Sequence, residues 1–319
     1  MAALSITSED IPDLSGKTAV VTGGSSGIGL GAVEIFLERK ARVFILDIQA
    51  PPADLGSAAN PTFIRTDISS WPSLVGAFSA IAHVHHASVD IAVGNAGVEE
   101  DGAYLQQCLR PAPASETEWV ALKAECPGYR AVEVNLQGTL NFVMLAARVM
   151  KGQRDGGSIA LTGSATAYLP EQSIPVYCAT KAAITNLVRS LRATLPQHNI
   201  AISGVAPSAT VSAALPPNLA APIIAAQLPV STGRHVGLAI AYSATARQSR
   251  RVEDYGKDDA AADVGGRWNG RVIHTIGDTF TEVEEMLVRT RPQWWGERNT
   301  ELARAQQTAS DMRDTLLGH

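Results

Sequence analysis

The sequence predicts an α/β fold, a doubly wound parallel sheet of seven strands with helices on both faces. Three observations predict it. Short β-branched runs alternate with segments of helical period; a glycine-rich turn joins the first main run to an amphipathic segment; and the second run ends on an acid, Asp47. The runs expected as strands are 18–22, 42–47, 63–66, 91–94, 158–162, 200–205 and 271–276. Helical stripes fill the gaps between them. Ile28, Ala32, Ile35 and Phe36 form one, Leu74, Phe78 and Ile81 a second, and Leu136, Leu140, Val143 and Ala147 a third. A fourth helix, from about 176 to 195, aligns Ile184, Val188, Leu191 and Leu195 and is closed by Pro196. Stretches 98–128, 208–233 and everything after Gly277 resist this regular reading, so long loops or short added helices are expected there.

Composition bounds the function. The chain has 319 residues, a length that by itself favours about two domains. Its 45% hydrophobic content argues against disorder and provides for a large core. A net charge of −5 gives no reason to expect nucleic acid or an anionic membrane as partner, so a small-molecule ligand is the better expectation. Cys108, Cys126 and Cys178 are too few and too scattered for a disulfide framework or a cysteine-rich metal site. With no basic and apolar leader pattern in the first ten residues, and no apolar run approaching 18 residues, the expected location is cytoplasmic.

The run Val20-Val21-Thr22-Gly23-Gly24-Ser25-Ser26-Gly27-Ile28-Gly29 passes from strand to helix. Glycine permits a tight turn and lets backbone N–H groups approach a pyrophosphate, and the helix N-terminus adds a favourable partial charge. A glycine-rich turn without a ligand is the alternative for the string alone. Asp47 lies 47 − 29 = 18 residues beyond the last glycine, near the roughly 20 expected of an acid that accepts hydrogen bonds from adenosine ribose hydroxyls. Its carboxylate would repel a 2′-phosphate, and the turn offers Ser25 and Ser26 in place of a basic residue, which favours NAD over NADP. A solvated acid at a strand end is the plainer reading of the same residue. Further on, Tyr177 and Lys181 are i, i+4 on a predicted helix and share a face. An unperturbed tyrosine titrates near 10, and a neighbouring ammonium is expected to lower that value.

Taken together, Thr22-Gly-x3-Gly-x-Gly29, Gly94-Asn95-Ala96-Gly97, Asn135, Ser164 and Tyr177-Cys-Ala-Thr-Lys181 resemble a classical short-chain dehydrogenase/reductase over about residues 14 to 277. The resemblance implies one Rossmann domain. It implies a cofactor held by Gly23, Ser25, Ser26, Gly27, Ile28, Gly29, Asp47, Asp67, Ile68, Asn95, Ala96, Gly97, Pro207, Thr210 and Ser212, with Tyr177 and Lys181. Tyr177 would exchange a proton with the substrate, Ser164 would orient the substrate oxygen, Lys181 would grip the nicotinamide ribose, and Asn135 would hold a proton-relaying water. Two departures stand out. Gly94 replaces the family's usual Asn, and Ala206-Pro207-Ser208 lacks the usual glycine after proline, which leaves open whether Thr210 or Ser212 reaches the carboxamide. The segments 127–138 and 268–273 resemble the fungal hydroxyprostaglandin-dehydrogenase-like branch.

Other features point to packing. His83, His85 and His86 have no nearby carboxylate or thiol to complete a metal site, so no metal is expected. Cys178 reads as a packed side chain, and Glu282, Glu284 and Glu285 as a polar helix face. Trp294-Trp295 is expected to pack or to join a subunit interface, with sealing of the substrate cavity as the alternative. The resulting expectation is an NAD-dependent oxidoreductase that interconverts a secondary alcohol and a ketone on a medium-sized, largely apolar substrate, with polyketide- or terpenoid-like secondary metabolites as candidates. The resemblance also implies a homodimer or homotetramer. The alternatives are an NAD(P)H-dependent ketoreductase running in reverse, or a cofactor-bound cyclase or binding protein without net redox. A single domain is expected, with a lid at 208–233 and a C-terminal extension at 278–319.

Overall fold

The apolar runs do form the sheet, because β-branched side chains pack well on a pleated surface buried on both sides. A computed structural model of the chain describes residues 3–53, 55, 61–100, 103–125, 128–212, 217–253, 265–313 and 315. Cys126 and parts of 98–128 and 208–233 lie outside the described residues. The strands are β1 (Ala3–Leu4), β2 (Thr18–Thr22), β3 (Arg42–Asp47), β4 (Thr62–Arg65), β5 (Ile91–Gly94), β6 (Gly157–Thr162), β7 (Ile200–Pro207), β8 (Arg247–Gln248), β9 (Gly266–Arg267), β10 (Val272–Ile276) and β11 (Thr279–Glu282). The helices are α1 (Gly27–Glu38), α2 (Trp71–Ser79), α3 (Ala103–Cys108), α4 (Glu116–Leu122), α5 (Thr139–Lys151), α6 (Pro175–Leu191), α7 (Pro217–Ala225), α8 (Gly233–Thr245), α9 (Glu284–Trp295) and α10 (Glu297–Ala309).

The main sheet runs β1-β11-β10-β7-β6-β5-β2-β3-β4. Its seven central strands, β10 to β4, are parallel and correspond to the seven expected ones, with ends moved by one or two residues. The sequence reading did not include β11, which folds back antiparallel on β10, or β1, which pairs antiparallel with β11. β8 and β9 form a separate ribbon. Chain order reverses between β2 and β5, so the carboxyl ends of these strands open the crevice where α/β sheets bind ligands.

Each face of the sheet has its own core. Val21, Ile45 and Ile273 point toward α1 and α8, and Val20, Leu46, Leu161 and Val272 point toward α2, α5 and α6. The α1–α8 contact is close because glycines line it. A Cβ on Gly31 or Gly237 would collide with backbone of the opposite helix. Gly94, the departure from the family pattern, is also explained by packing: a Cβ there would lie 2.8 Å from Leu161 Cδ2 and 3.4 Å from the Phe142 ring, so these large side chains occupy the room.

The third stripe needs correction. A π-helical segment, Val132–Gly138, precedes α5, and its wider turn shifts the helical phase. Leu140 is therefore exposed, while Phe142, Ala146 and Met150 face the core. Two of the three glutamates are corrected as well. Glu282 and Glu284 are buried, because Arg189, Arg192 and Arg271 meet them.

Candidate active site

A cavity of about 1060 Å³ runs along the carboxyl ends of the parallel strands, at the upper end of the roughly 300–1,000 Å³ typical of a single-ligand pocket. At one end is the turn after β2. Gly23 has a φ of +63°, and a Cβ on Gly29 would collide with the Gly23 carbonyl oxygen, so the compact turn requires glycine at both positions. Gly29 packs behind the turn, while Gly23, Ser25, Ser26, Gly27 and Ile28 line the cavity at the N-terminus of α1. Asp47 closes β3, its carboxylate accepting from the backbone N–H of Ser25 and of Gln49, each at 3.1 Å. The Ser25 hydroxyl donates to the Gln49 carbonyl at 2.6 Å. An anion-binding helix end thus stands beside an acid on the neighbouring strand, a donor set that fits a dinucleotide.

Asp67 and Ile68, after β4, line the next part of the wall. The Ser69 hydroxyl, 2.6 Å away, holds the Asp67 carboxyl below its usual range, and Arg130 at 3.7 Å contributes. Arg130 itself lines the cavity, a position not anticipated from sequence.

Asn95 braces the middle. It donates from Nδ2 to the carbonyls of Thr22 and Gly23, each at 3.2 Å, and its Oδ1 accepts from the Thr162 hydroxyl at 3.1 Å, tying β2, β5 and β6 together. The hydroxyl of Thr22 accepts from the N–H groups of Asn95 and Ala96. Asn135 lies behind Gly97 and outside the cavity lining. Its side chain accepts from Val98 N–H and donates to Val98 O, both at 2.8 Å, and also donates to the Thr180 hydroxyl at 3.3 Å. Because the side-chain amide is already engaged, any water held at Asn135 would have to use its main chain, in the π-helical segment.

At the other end of the cavity three side chains named in the sequence analysis lie together. Ser164, buried after β6, accepts from the Thr166 N–H at 3.1 Å and lines the cavity beside Tyr177, near the start of α6. Lys181 Nζ lies 5.6 Å from the Tyr177 ring centroid and donates to the Thr162 carbonyl at 3.0 Å. The expected lowering of the Tyr177 pKa is not found. Burial pushes the phenol up to about 12, against the opposing pull of the Ser164 hydroxyl, and burial brings the Lys181 ammonium down to about 8. Both charged forms lose hydration in this pocket.

Pro207 ends β7, and Ser208 N–H donates to the Thr275 carbonyl at 2.8 Å, so Ser208 substitutes for the usual glycine within a regular strand extension. Thr210 is buried and pairs with Ser231; Thr210 and Ser212 both line the cavity. The far wall is supplied largely by the C-terminal extension. Val283, Met286, Leu287 and Thr290 from β11–α9 face Leu169, Ile174 and Ile223. Trp294 and Trp295 do not seal this cavity. They stack on each other at 6.1 Å and are exposed. Cys178 is packed, with its thiol on the Glu171 carbonyl. His85 packs edge-on against Phe44, and no group of metal-ligating side chains occurs among the described residues. Nor is any helix among them long and apolar enough to cross a membrane.

This arrangement defines a dinucleotide-dependent oxidoreductase scaffold, and the chain belongs to the short-chain dehydrogenase family, whose sequence pattern matches residues 17–220. It is similar over most of its length to two fungal proteins. The short-chain dehydrogenase/reductase prx4 of Penicillium roqueforti is 48% identical over 314 residues, covering 98% of this chain and 90% of that one. The short-chain dehydrogenase/reductase ATR7 of Stachybotrys chlorohalonatus is 41% identical over 323 residues, covering 98% and 95%. The fold matches a short-chain type dehydrogenase/reductase from Mycobacterium marinum, with a TM-score of 0.60, 24% identity and coverage of 75% and 92%. It also matches a 3-ketoacyl-(acyl-carrier-protein) reductase from Brucella melitensis solved with NADH, with a TM-score of 0.57, 23% identity and coverage of 73% and 92%.

Proposed function

We propose that this chain is an NAD-dependent oxidoreductase that interconverts a secondary alcohol and a ketone on a medium-sized, largely apolar substrate. The observation that carries the reading is the meeting of Ser164, Tyr177 and Lys181 at one end of a cavity whose other end holds the α1 N-terminus and Asp47. Bound there, the nicotinamide cofactor supplies the hydride acceptor. Ser164 orients the substrate oxygen by hydrogen bonding, and the Tyr177 oxygen takes the carbinol proton as phenolate in oxidation and gives a proton as phenol in reduction. Lys181 donates toward the ribose side of the site and keeps a positive charge near the Tyr177 oxygen as the proton leaves. Gly23, Ser25, Ser26, Gly27 and Ile28 cradle the pyrophosphate, Asp47 receives the adenosine ribose hydroxyls, Asp67 and Ile68 flank adenine, and Thr210 with Ser212 borders the carboxamide. The apolar wall of Leu169, Ile174, Ile223, Met286 and Leu287 supports the apolar substrate class.

The chain acts as a single unit in this reading, since the C-terminal extension completes the cavity of the 14–277 core. Leu140 and Met144, exposed one turn apart on α5, support self-association into a homodimer or homotetramer. Replacement Tyr177→Phe tests the reading. Turnover of alcohols with NAD should be lost while NAD binding, followed by calorimetry, is retained; activity like that of the unaltered protein would refute the assignment. NAD binding without turnover across alcohols and ketones would favour the cyclase or binding-protein alternative. Faster reduction with NADPH would favour the ketoreductase.

A further inference from the structure

One patch of the substrate cavity is polar within an apolar wall. His274 on β10 and Thr281 on β11 are directly opposed across an antiparallel pair, so their side chains share a face roughly 5 Å apart. Both line the cavity. Around them the lining is Ile276, Val283, Met286 and Leu287, with Glu282, which is paired with Arg271. Both side chains are half-buried and reachable from inside the cavity. Neither side chain is hydrogen-bonded to another group among the described residues. Burial lowers the His274 pKa, so at neutral pH the ring is uncharged, with one N–H donor and one lone-pair acceptor. The two side chains therefore offer donors and acceptors to whatever fills the cavity.

We infer that His274 and Thr281 form a recognition point for a second oxygen on the substrate, so that the substrate is an apolar skeleton bearing a hydroxyl or carbonyl remote from the reacting carbinol. This rests on the oxidoreductase reading above. Sheet order sets the separation. His274 pairs with Ala206 on β7, and β7 lies between β10 and β6, the strand that leads to Ser164. Two strand spacings of about 4.8 Å put the second oxygen roughly 10 Å from the reacting one. A hydroxyl can both accept from and donate to this pair, and an analogue without it leaves both groups unpaired, the situation in which binding sites discriminate best.

The test uses decan-2-ol and the series of decanediols with one hydroxyl at carbon 2 and the other at carbon 5, 6, 7, 8 or 9. Dissociation constants are taken from thermal-shift titrations of the NADH-loaded protein, which need no turnover. At least one diol is expected to bind about tenfold more tightly than decan-2-ol. In His274→Leu that ratio should fall to near one, and His274→Gln, which keeps a donor and an acceptor, should restore part of it. Equal affinity for the mono-alcohol and every diol, or an unchanged ratio in His274→Leu, overturns the inference. Oxidation of decan-2-ol with NAD is measured in parallel and reports on the oxidoreductase reading alone, so the two can fail separately.

Discussion

Glu284 and Arg189 meet through two hydrogen bonds, Nε to Oε2 at 2.8 Å and Nη2 to Oε1 at 2.7 Å, although 95 residues separate them in sequence. The Tyr168 hydroxyl donates to the same carboxylate at 2.8 Å. Tyr168 lines the cavity and follows the Ser164 turn, Arg189 lies on the helix that carries Tyr177, and Glu284 opens the helix that walls the far end of the cavity. One buried carboxylate thus joins three parts of the site.

Removing that carboxylate leaves Arg189 and Tyr168 without their shared acceptor. Glu284→Ala is expected to lower unfolding free energy by about 3 kcal/mol, as for other broken buried ion pairs. Tyr168→Phe removes one neutral donor and should cost about 1 kcal/mol. Urea titration measures both. A Glu284→Ala protein as stable as the parent would mean that the contact contributes nothing net.

Asp47 is expected to set cofactor choice. Asp47→Ser removes the charge that opposes a 2′-phosphate, and the ratio of kcat/KM for NADP to that for NAD should rise at least tenfold, about 1.4 kcal/mol. An unchanged ratio would show that discrimination resides elsewhere in the turn.

Lys181 gives a pH signature of stability in the cofactor-free protein. Burial lowers it from 10.5 to about 8, so between those values the unfolded chain binds more protons than the folded one and stability rises with pH. The opposite holds for Tyr177, raised from 10.0 to about 12, whose contribution is lost as pH rises through that window. Lys181→Met removes the first effect. Its stability advantage over the parent should therefore shrink from pH 8 to pH 10, as read from denaturant midpoints at each pH; a constant difference would contradict the burial argument.

Two glycines give opposite expectations. Gly31→Ala forces a methyl into the backbone of α8 and should destabilise by about 3 kcal/mol. A Cβ at Gly76, within α2, meets nothing within 4 Å, so Gly76→Ala should stabilise by about 0.5–1 kcal/mol. Thermal unfolding of the two variants separates these outcomes, and equal shifts would count against close α1–α8 packing.

The parallel core was legible because its information is local. Val20 and Val21 sit in a strand that must be apolar on both sides, and the turn from Gly23 to Gly29 joins that strand to α1 without any distant contact. The phase of α5 was not legible, because the π-helical turn at Val132–Gly138 leaves no mark in a 3.6-residue pattern and moves Leu140 to the surface. The C-terminal glutamates misled for a related reason. Charge on a helical segment ordinarily means solvent, and only the arrival of Arg189, Arg192 and Arg271 from other elements allows Glu282 and Glu284 to be buried.

By itself, the sequence determined which runs become the seven parallel strands of the core, the family, and the residue types that gather at the cavity, since each depends on short-range pattern and motif spacing. Tertiary structure alone decided that burial raises the Tyr177 pKa, that the Asn135 amide is already engaged by Val98, and that β11 and α9 turn back to wall the far end of the cavity beside His274. Those outcomes depend on desolvation and on contacts between segments far apart in the chain, and no local pattern encodes either.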